Sequence, residues 1–341
     1  MIKLLVITFL ISNIVLAQKA ETDYFKYHDQ INKAEYLFFK EAKVDSCLYV
    51  YDKVFFEFNF IFVKDIINAI QISVYSGKPY EKYIELGFKH GLKISHLAKI
   101  KLLNKFYLKL EDDSNLKKIY QINRKAYLSK IDLKYLDWIN KISVKDQVNK
   151  YYSDKIYYNL LEKDLKTLTD SILKRGFPGD RLIGIQDSTI FKETKSKVFK
   201  DLPTLAKKFK KAIAFHEIEE TDLSAITIIP MWLHSTCPTN FLTFEEFQKQ
   251  VKKGNLHPRD FALLIDDSYT ARNRRPYFCD NYKFEGFYCR AFCELSNPID
   301  IKLANLLRKK NHMCSYEIDQ IKKEFEVKHG FYLFSGYLGN R

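Results

Sequence analysis

Apolar side chains recur at intervals of three and four through the stretch from Tyr24 to Tyr157, a spacing that strongly favours helices. Ile31, Ala34, Leu37 and Phe38 form one series. Cys47, Val50, Tyr51, Val54 and Phe55 form a second, and Ile66, Ala69, Ile70, Ser73 and Val74 a third. Residues at these intervals share one face of a 3.6-residue turn, so each series predicts an amphipathic helix with a buried stripe. The interruptions fall where helices should stop. Asp45-Ser46 can cap the second helix and Asn59 lies just past its end. Gly77 closes the third helix and Gly91 the fourth. Pro79 falls in the first turn of the fourth helix, where a missing N–H does no harm. Short turns between such helices make antiparallel neighbours, stacked in pairs.

The second half has a different texture. Ile131 to Tyr157 reads as two amphipathic segments that bridge the halves, and the division is placed near residue 130. A helix ends in Lys174-Arg175-Gly176-Phe177-Pro178-Gly179, a stop glycine followed by proline. Lys195 to Lys211 is a lysine-rich insertion. Asp222 can cap a helix through Ile226 to His234, bent at Pro230. Thr243-Phe244-Glu245-Glu246 is a capping box whose helix ends at Gly254. Pro258 opens another helix, Arg259 to Asp267, and two more are expected at about Ile299–Lys309 and Ser315–Val327. The fold class is therefore mainly α: stacked antiparallel helix pairs over residues 18–130, then a mostly helical part with irregular loops over 131–341.

Residues 1–17 carry the three parts of a secretory signal in order. Lys3 supplies the positive region, Leu4 to Leu16 the apolar run, and Val15-Leu16-Ala17 a cleavage site before Gln18. The run is shorter than the ~20 apolar residues of a spanning helix and is interrupted by Ser12 and Asn13. Cleavage after Ala17 is expected, giving an exported protein, periplasmic or secreted, with no membrane span. The chain carries a net charge of +14, which invites a nucleic-acid reading. Its 56 cations include only 10 arginines, with the lysines spread almost evenly along the chain. That pattern argues against nucleic acid and leaves, at most, weak attraction to acidic envelope polymers.

Cys47 stands alone in the first half, whereas Cys237, Cys279, Cys289, Cys293 and Cys314 crowd the second. In an exported protein these five are disulfide candidates, with buried free thiols as the alternative. A metal site would use Cys279, Cys289 and Cys293 with His312 or Cys314, but the spacings lack paired C-x2-C knuckles. No metal and no cofactor are expected.

Two resemblances emerge from these residues. Asn68-Ala69 through Ser73, Gly77, Tyr80, Tyr83 and Ile84 resembles the middle of a tetratricopeptide repeat, although Tyr83 and His90 replace the usual small residues. The likeness implies close helix-pair stacking. Further on come Asp146-Gln147, Gly176-Phe177-Pro178-Gly179 with Gly184, His234, Phe247 to Gly254, and Ala262-Leu263-Leu264-Ile265-Asp266. Over residues 140–285 this order resembles an uncharacterised bacterial domain family of unknown function. In that family a helix ends in G-x-P, an apolar helix ends in histidine, and an A-x-L-x-D helix follows. The resemblance implies that a site would include His234, Asp266 and Asp146. The family's closing glutamine-tyrosine-glycine stretch is replaced here by Arg274-Arg275-Pro276-Tyr277-Phe278-Cys279.

A histidine oriented by a carboxylate is the minimum of an acid–base site, so His234 with Asp266 is the catalytic candidate. Arg272, Arg274 and Arg275 could hold an anionic group. The competing account makes His234 a helix-terminal histidine and the arginines solvated loop charge. His216-Glu217-Ile218-Glu219-Glu220 lacks the second histidine of a zinc helix. The expected function is a non-catalytic helical interaction or scaffold protein of the cell envelope, with a protein or peptide partner. The alternative is an envelope hydrolase using His234, Asp266 and the arginines.

Overall fold

The computed structural model describes residues 23–333 apart from 99, 104–106, 108–111, 150–151, 186–188, 196–240 and 266–299. Among the described residues there are helices and no strands. The first four helices are α1 (Tyr24–Phe39), α2 (Val44–Glu57), α3 (Val63–Tyr75) and α4 (Glu81–Lys89), followed by the single turn α5 (Ile94–Leu97). Then come α6 (Ser114–Leu128), α7 (Leu133–Asn149), α8 (Asp154–Arg175) and the short α9 (Asp180–Ile183) and α10 (Thr189–Glu193). The last described are α11 (Phe244–Lys252), α12 (Ile301–Lys310) and α13 (Tyr316–His329), with a further helical stretch over 258–265.

Local chemistry sets most boundaries. Asp23 caps α1 by accepting from the Phe25 N–H at 3.0 Å, and Asp113 caps α6 by accepting from Asn115 and Leu116. Thr243 accepts from the Glu246 N–H at 3.2 Å, as the capping box predicts. Gly176 ends α8 at φ +100°, also as predicted. The start of α2 differs from expectation. Lys43 is the residue before the helix and makes no side-chain cap, while Asp45 sits inside the first turn. Gly254 follows α11 at φ +71°, and a Cβ there would lie 2.7 Å from the Tyr24 ring. Only glycine allows both that backbone and that approach of α11's end to α1.

Helices stack in pairs, α1 on α2 and α3 on α4, with α6 then laid on α4. In α3 every residue from Val63 to Ser73 is buried, so this helix is the centre of the first core. A helix enclosed all round must bury its polar positions too. The first core runs from Tyr24 to Leu116 and is completed by Phe331 and Leu333 from the far end of the chain. There Phe38, Phe39, Tyr75, Phe325 and Phe331 pack edge to face. Gln71 fastens that end: its amide accepts from the Tyr332 N–H and donates to the Tyr332 carbonyl. The second core is built on α7, α8, α11 and the 258–265 stretch.

Candidate functional site

The chemistry-bearing residues that the structure draws together are buried charges where the two cores meet. Asp319 of α13 is the first hub. Arg259 grips it bidentately, Nη1 to Oδ2 at 2.6 Å and Nη2 to Oδ1 at 2.7 Å, and Arg308 of α12 adds Nη1 to Oδ2 at 2.7 Å. The Cys314 thiol donates to Oδ1 at 3.1 Å. One turn along α13, Lys322 donates to both oxygens of Glu35 on α1, at 3.1 and 3.3 Å. Asn68 of α3 donates to the same Glu35 at 2.8 Å and to the Tyr51 hydroxyl at 3.1 Å.

Asp260, the neighbour of Arg259, turns the other way. Its two oxygens accept from Lys64 of α3 at 3.1 and 3.3 Å. Asp65 accepts from the Tyr27 hydroxyl at 2.6 Å, and Tyr27 in turn accepts from the Phe62 N–H. His28 and His257 meet ring edge to face, centroids 5.1 Å apart, against Phe62. The dipeptide Arg259-Asp260 therefore ties the last helices to α3 at the heart of the first core.

Burial and charge set the ionisation of these groups. Burial alone would raise the Asp319 carboxyl, but Arg259, Arg308 and Lys322 outweigh it and hold it well below the usual carboxylate range. At Asp260 burial prevails over Lys64 and Arg259, so its pKa is raised. Asp180, at the start of α9, is pushed up to about 7 by burial against the opposing pull of Lys64, with Asp260 and Asp65 adding repulsion. Lys64, Arg259, Arg308 and Lys322 face Glu35, Asp65, Asp260 and Asp319 in this buried cluster.

Such an arrangement locks helices together. Its ions are sheltered from water, where an ion pair is worth most in geometry and removal of one partner is most damaging. It presents no activated nucleophile. The Cys314 thiol is raised to about 11 by burial and by Asp319, against Lys322 and Arg259. The buried Cys47 thiol is likewise raised by burial and by Glu35.

Of the residues predicted from sequence, His234, Asp266, Arg272, Arg274, Arg275, Cys237, Cys279, Cys289 and Cys293 lie outside the described residues. Asp146 is buried on α7, where its Oδ1 accepts from the Tyr157 hydroxyl of α8 at 3.1 Å. Cys314, placed among the disulfide candidates, carries a free thiol. The physical reason is its pocket: the sulfur is buried between Arg259 and Asp319, which supply its polar contacts. His312, the other described member of the metal alternative, stacks on Phe25 at 4.1 Å and meets Asp29 at 2.9 Å. Among the described residues no cluster of metal-ligand type forms.

The sequence reading did not single out Glu35, Lys64, Asp65, Asp319 and Lys322. For Lys64-Asp65 a signal existed: two charges in a helix apolar enough to be wholly enclosed. Compared with known proteins, the chain matches no family model, no curated protein and no solved structure.

Proposed function

We propose that this is an exported, non-catalytic helical protein that acts as an interaction scaffold in the cell envelope. The carrying observation is the outer face of α2. The aromatic run from Tyr49 to Phe58 divides: Tyr51 and Phe58 enter the core, whereas Tyr49 is 68 % and Phe56 92 % exposed. These two stand seven residues apart, two turns along one helical face, and large exposed aromatics are favoured anchors for a protein partner. The buried charges support the non-catalytic part, since Glu35, Asp260 and Asp319 are engaged by cations of the same chain.

The test is in cells. N-terminal sequencing of the exported protein is expected to begin at Gln18, and a photo-crosslinking residue at Phe56 or Tyr49 is expected to give a discrete protein adduct in the envelope fraction. Protein retained in the cytosol with residues 1–17 attached would overturn the export reading. Correctly exported protein that gives no adduct at either position, while crosslinking efficiently to itself in a concentrated control, would overturn the scaffold reading.

A further inference from the structure

The outer face of α6 is lysine-rich and has no acid within it. Elsewhere some exposed lysines are matched by acids: Lys53 with Glu57, Lys78 with Asp45, Lys82 with Asp52, Lys166 with Glu162, and Lys328 with Glu324. From Ser114 to Ile131 the chain has five cations and no acid. Arg124 turns inward to Glu193, at 2.6 and 2.9 Å. Lys117, Lys118, Lys125 and Lys130 are exposed, and none forms an ion pair with a described residue. Lys118, Ile122 and Lys125 stand at i, i+4 and i+7, so they form a single stripe along the helix. Ile122, between the two lysines, is 62 % exposed. The flanking acids are Asp112 and Asp113 at the N-terminal end and Asp132 just past Ile131; Asp113 is occupied as the cap and Asp132 pairs with Arg175.

The helix is held so that this stripe faces outward. Leu116, Arg124 and Tyr127 are buried on its inner side. Tyr120 meets Phe88 of α4 edge to face, and the Tyr127 hydroxyl accepts from the Ile185 N–H at 2.6 Å. The positive field also extends past the helix. His90, at the end of α4, is pushed down to about 4 by burial and then by Lys130 and Lys89.

We propose that the α6 face docks on a membrane surface rich in anionic lipid headgroups, with Lys117, Lys118, Lys125 and Lys130 meeting phosphates and Ile122 entering the interfacial layer. Lysines beside an anionic bilayer are each attracted to it, and their aliphatic stems follow an apolar neighbour into the boundary while the ammonium groups stay at headgroup level. A soluble polyanion would satisfy the charges and leave Ile122 in water. A flat lipid surface accommodates both, which is why the exposed isoleucine favours it. The surface is distinct from the Tyr49–Phe56 face, so failure of either proposal leaves the other standing.

Flotation of the purified protein beginning at Gln18 with vesicles of phosphatidylglycerol and phosphatidylcholine tests this, against vesicles of phosphatidylcholine alone. Binding is expected only to the anionic vesicles, and should weaken as salt shortens the Debye length to about 8 Å. Lys118→Gln with Lys125→Gln should lower vesicle affinity on the order of five-fold per lysine. Ile122→Ser should lower it about three-fold or more. The control is Lys163→Gln with Lys174→Gln on α8, which changes net charge equally and should leave binding nearly unchanged. Equal losses in the control would show a net-charge effect and overturn the proposal. So would absence of binding to the anionic vesicles, or an Ile122→Ser variant that binds as tightly as the parent, which would point to a polyanion instead. Circular dichroism of each variant confirms that the helix is retained.

Discussion

Asp319→Asn isolates the hub of the buried network. The change preserves side-chain volume but removes the charge, and it exchanges one acceptor oxygen for an NH2 that must face guanidinium N–H groups. Four contacts depend on that carboxylate: two from Arg259, one from Arg308 and one from the Cys314 thiol. Arg308 is fully buried and Arg259 nearly so, so neither can recover its hydration without opening the structure. Removing one partner of a buried ion pair costs about 3–5 kcal/mol. An exposed pair such as Lys328–Glu324 is worth roughly 0–1 kcal/mol. Against a total stability of about 5–15 kcal/mol, the first is a large fraction and the second a small one. Urea denaturation followed by far-UV circular dichroism should therefore give a midpoint lowered by at least about 1 M for Asp319→Asn. Glu324→Gln should leave it within about 0.3 M. Arg308→Met, which leaves the bidentate pair intact, should fall between them and fold even if Asp319→Asn does not. The pH dependence has a definite sign. The folded Asp319 pKa is depressed, so its stabilisation is full above the unfolded value of about 3.9 and is lost as acid approaches the folded value. Acid unfolding of the parent should be steeper than that of the variant below about pH 4. A loss for Asp319→Asn no larger than that for Glu324→Gln would refute the reasoning, because it would mean that water reaches the guanidinium groups.

Asp180 gives the opposite pH sign. Its folded pKa of about 7 lies above the unfolded value, so the folded state binds more protons and stability falls as pH rises from about 4 to about 7. Asp180→Asn should flatten that decline and be more stabilising at pH 8 than at pH 5 in thermal melts; equal effects at both pH values would exclude a coupled proton. Cys47 and Cys314 should resist maleimide in the native protein at pH 7 and react fully in denaturant, as intact mass will show. Native modification of Cys314, or its recovery in a disulfide, would contradict its sealed position. Gly254→Ala should lower stability by at least about 2 kcal/mol, through left-handed backbone strain and contact with the Tyr24 ring; a change under about 0.5 kcal/mol would show that the ring can yield.

Periodicity made the helices legible because it reports which face is buried, and a buried face is a local property of each segment. The terminators Gly77, Gly91, Gly176 and Gly254 were equally legible, since positive φ falls naturally to glycine and all four adopt it. Partner choice was not legible in the same way. Nothing near Lys322 in the sequence points to Glu35, 287 residues away, and nothing near Arg259 points to Asp319. A solvated lysine in α13 and a paired one look alike until packing decides which side faces inward. The same holds for Asp146, a site position by the resemblance, whose hydrogen bond from the Tyr157 hydroxyl only the fold reveals.

The placement of the network explains why charge is used at all in the middle of a mostly apolar protein. Apolar contacts between α1, α3 and α13 bury surface well, but they tolerate sliding and rotation of one helix on another. A lysine that must reach both oxygens of Glu35, and an arginine that must fork onto Asp319, tolerate far less. Arg259 and Asp260 make the constraint mutual, because a rotation of their helix that improves one pair withdraws the other. With Phe331 and Leu333 completing the first core, the far end of the described chain is held in one register against its beginning. The buried charges thus hold α1, α3, α12 and α13 in a single arrangement.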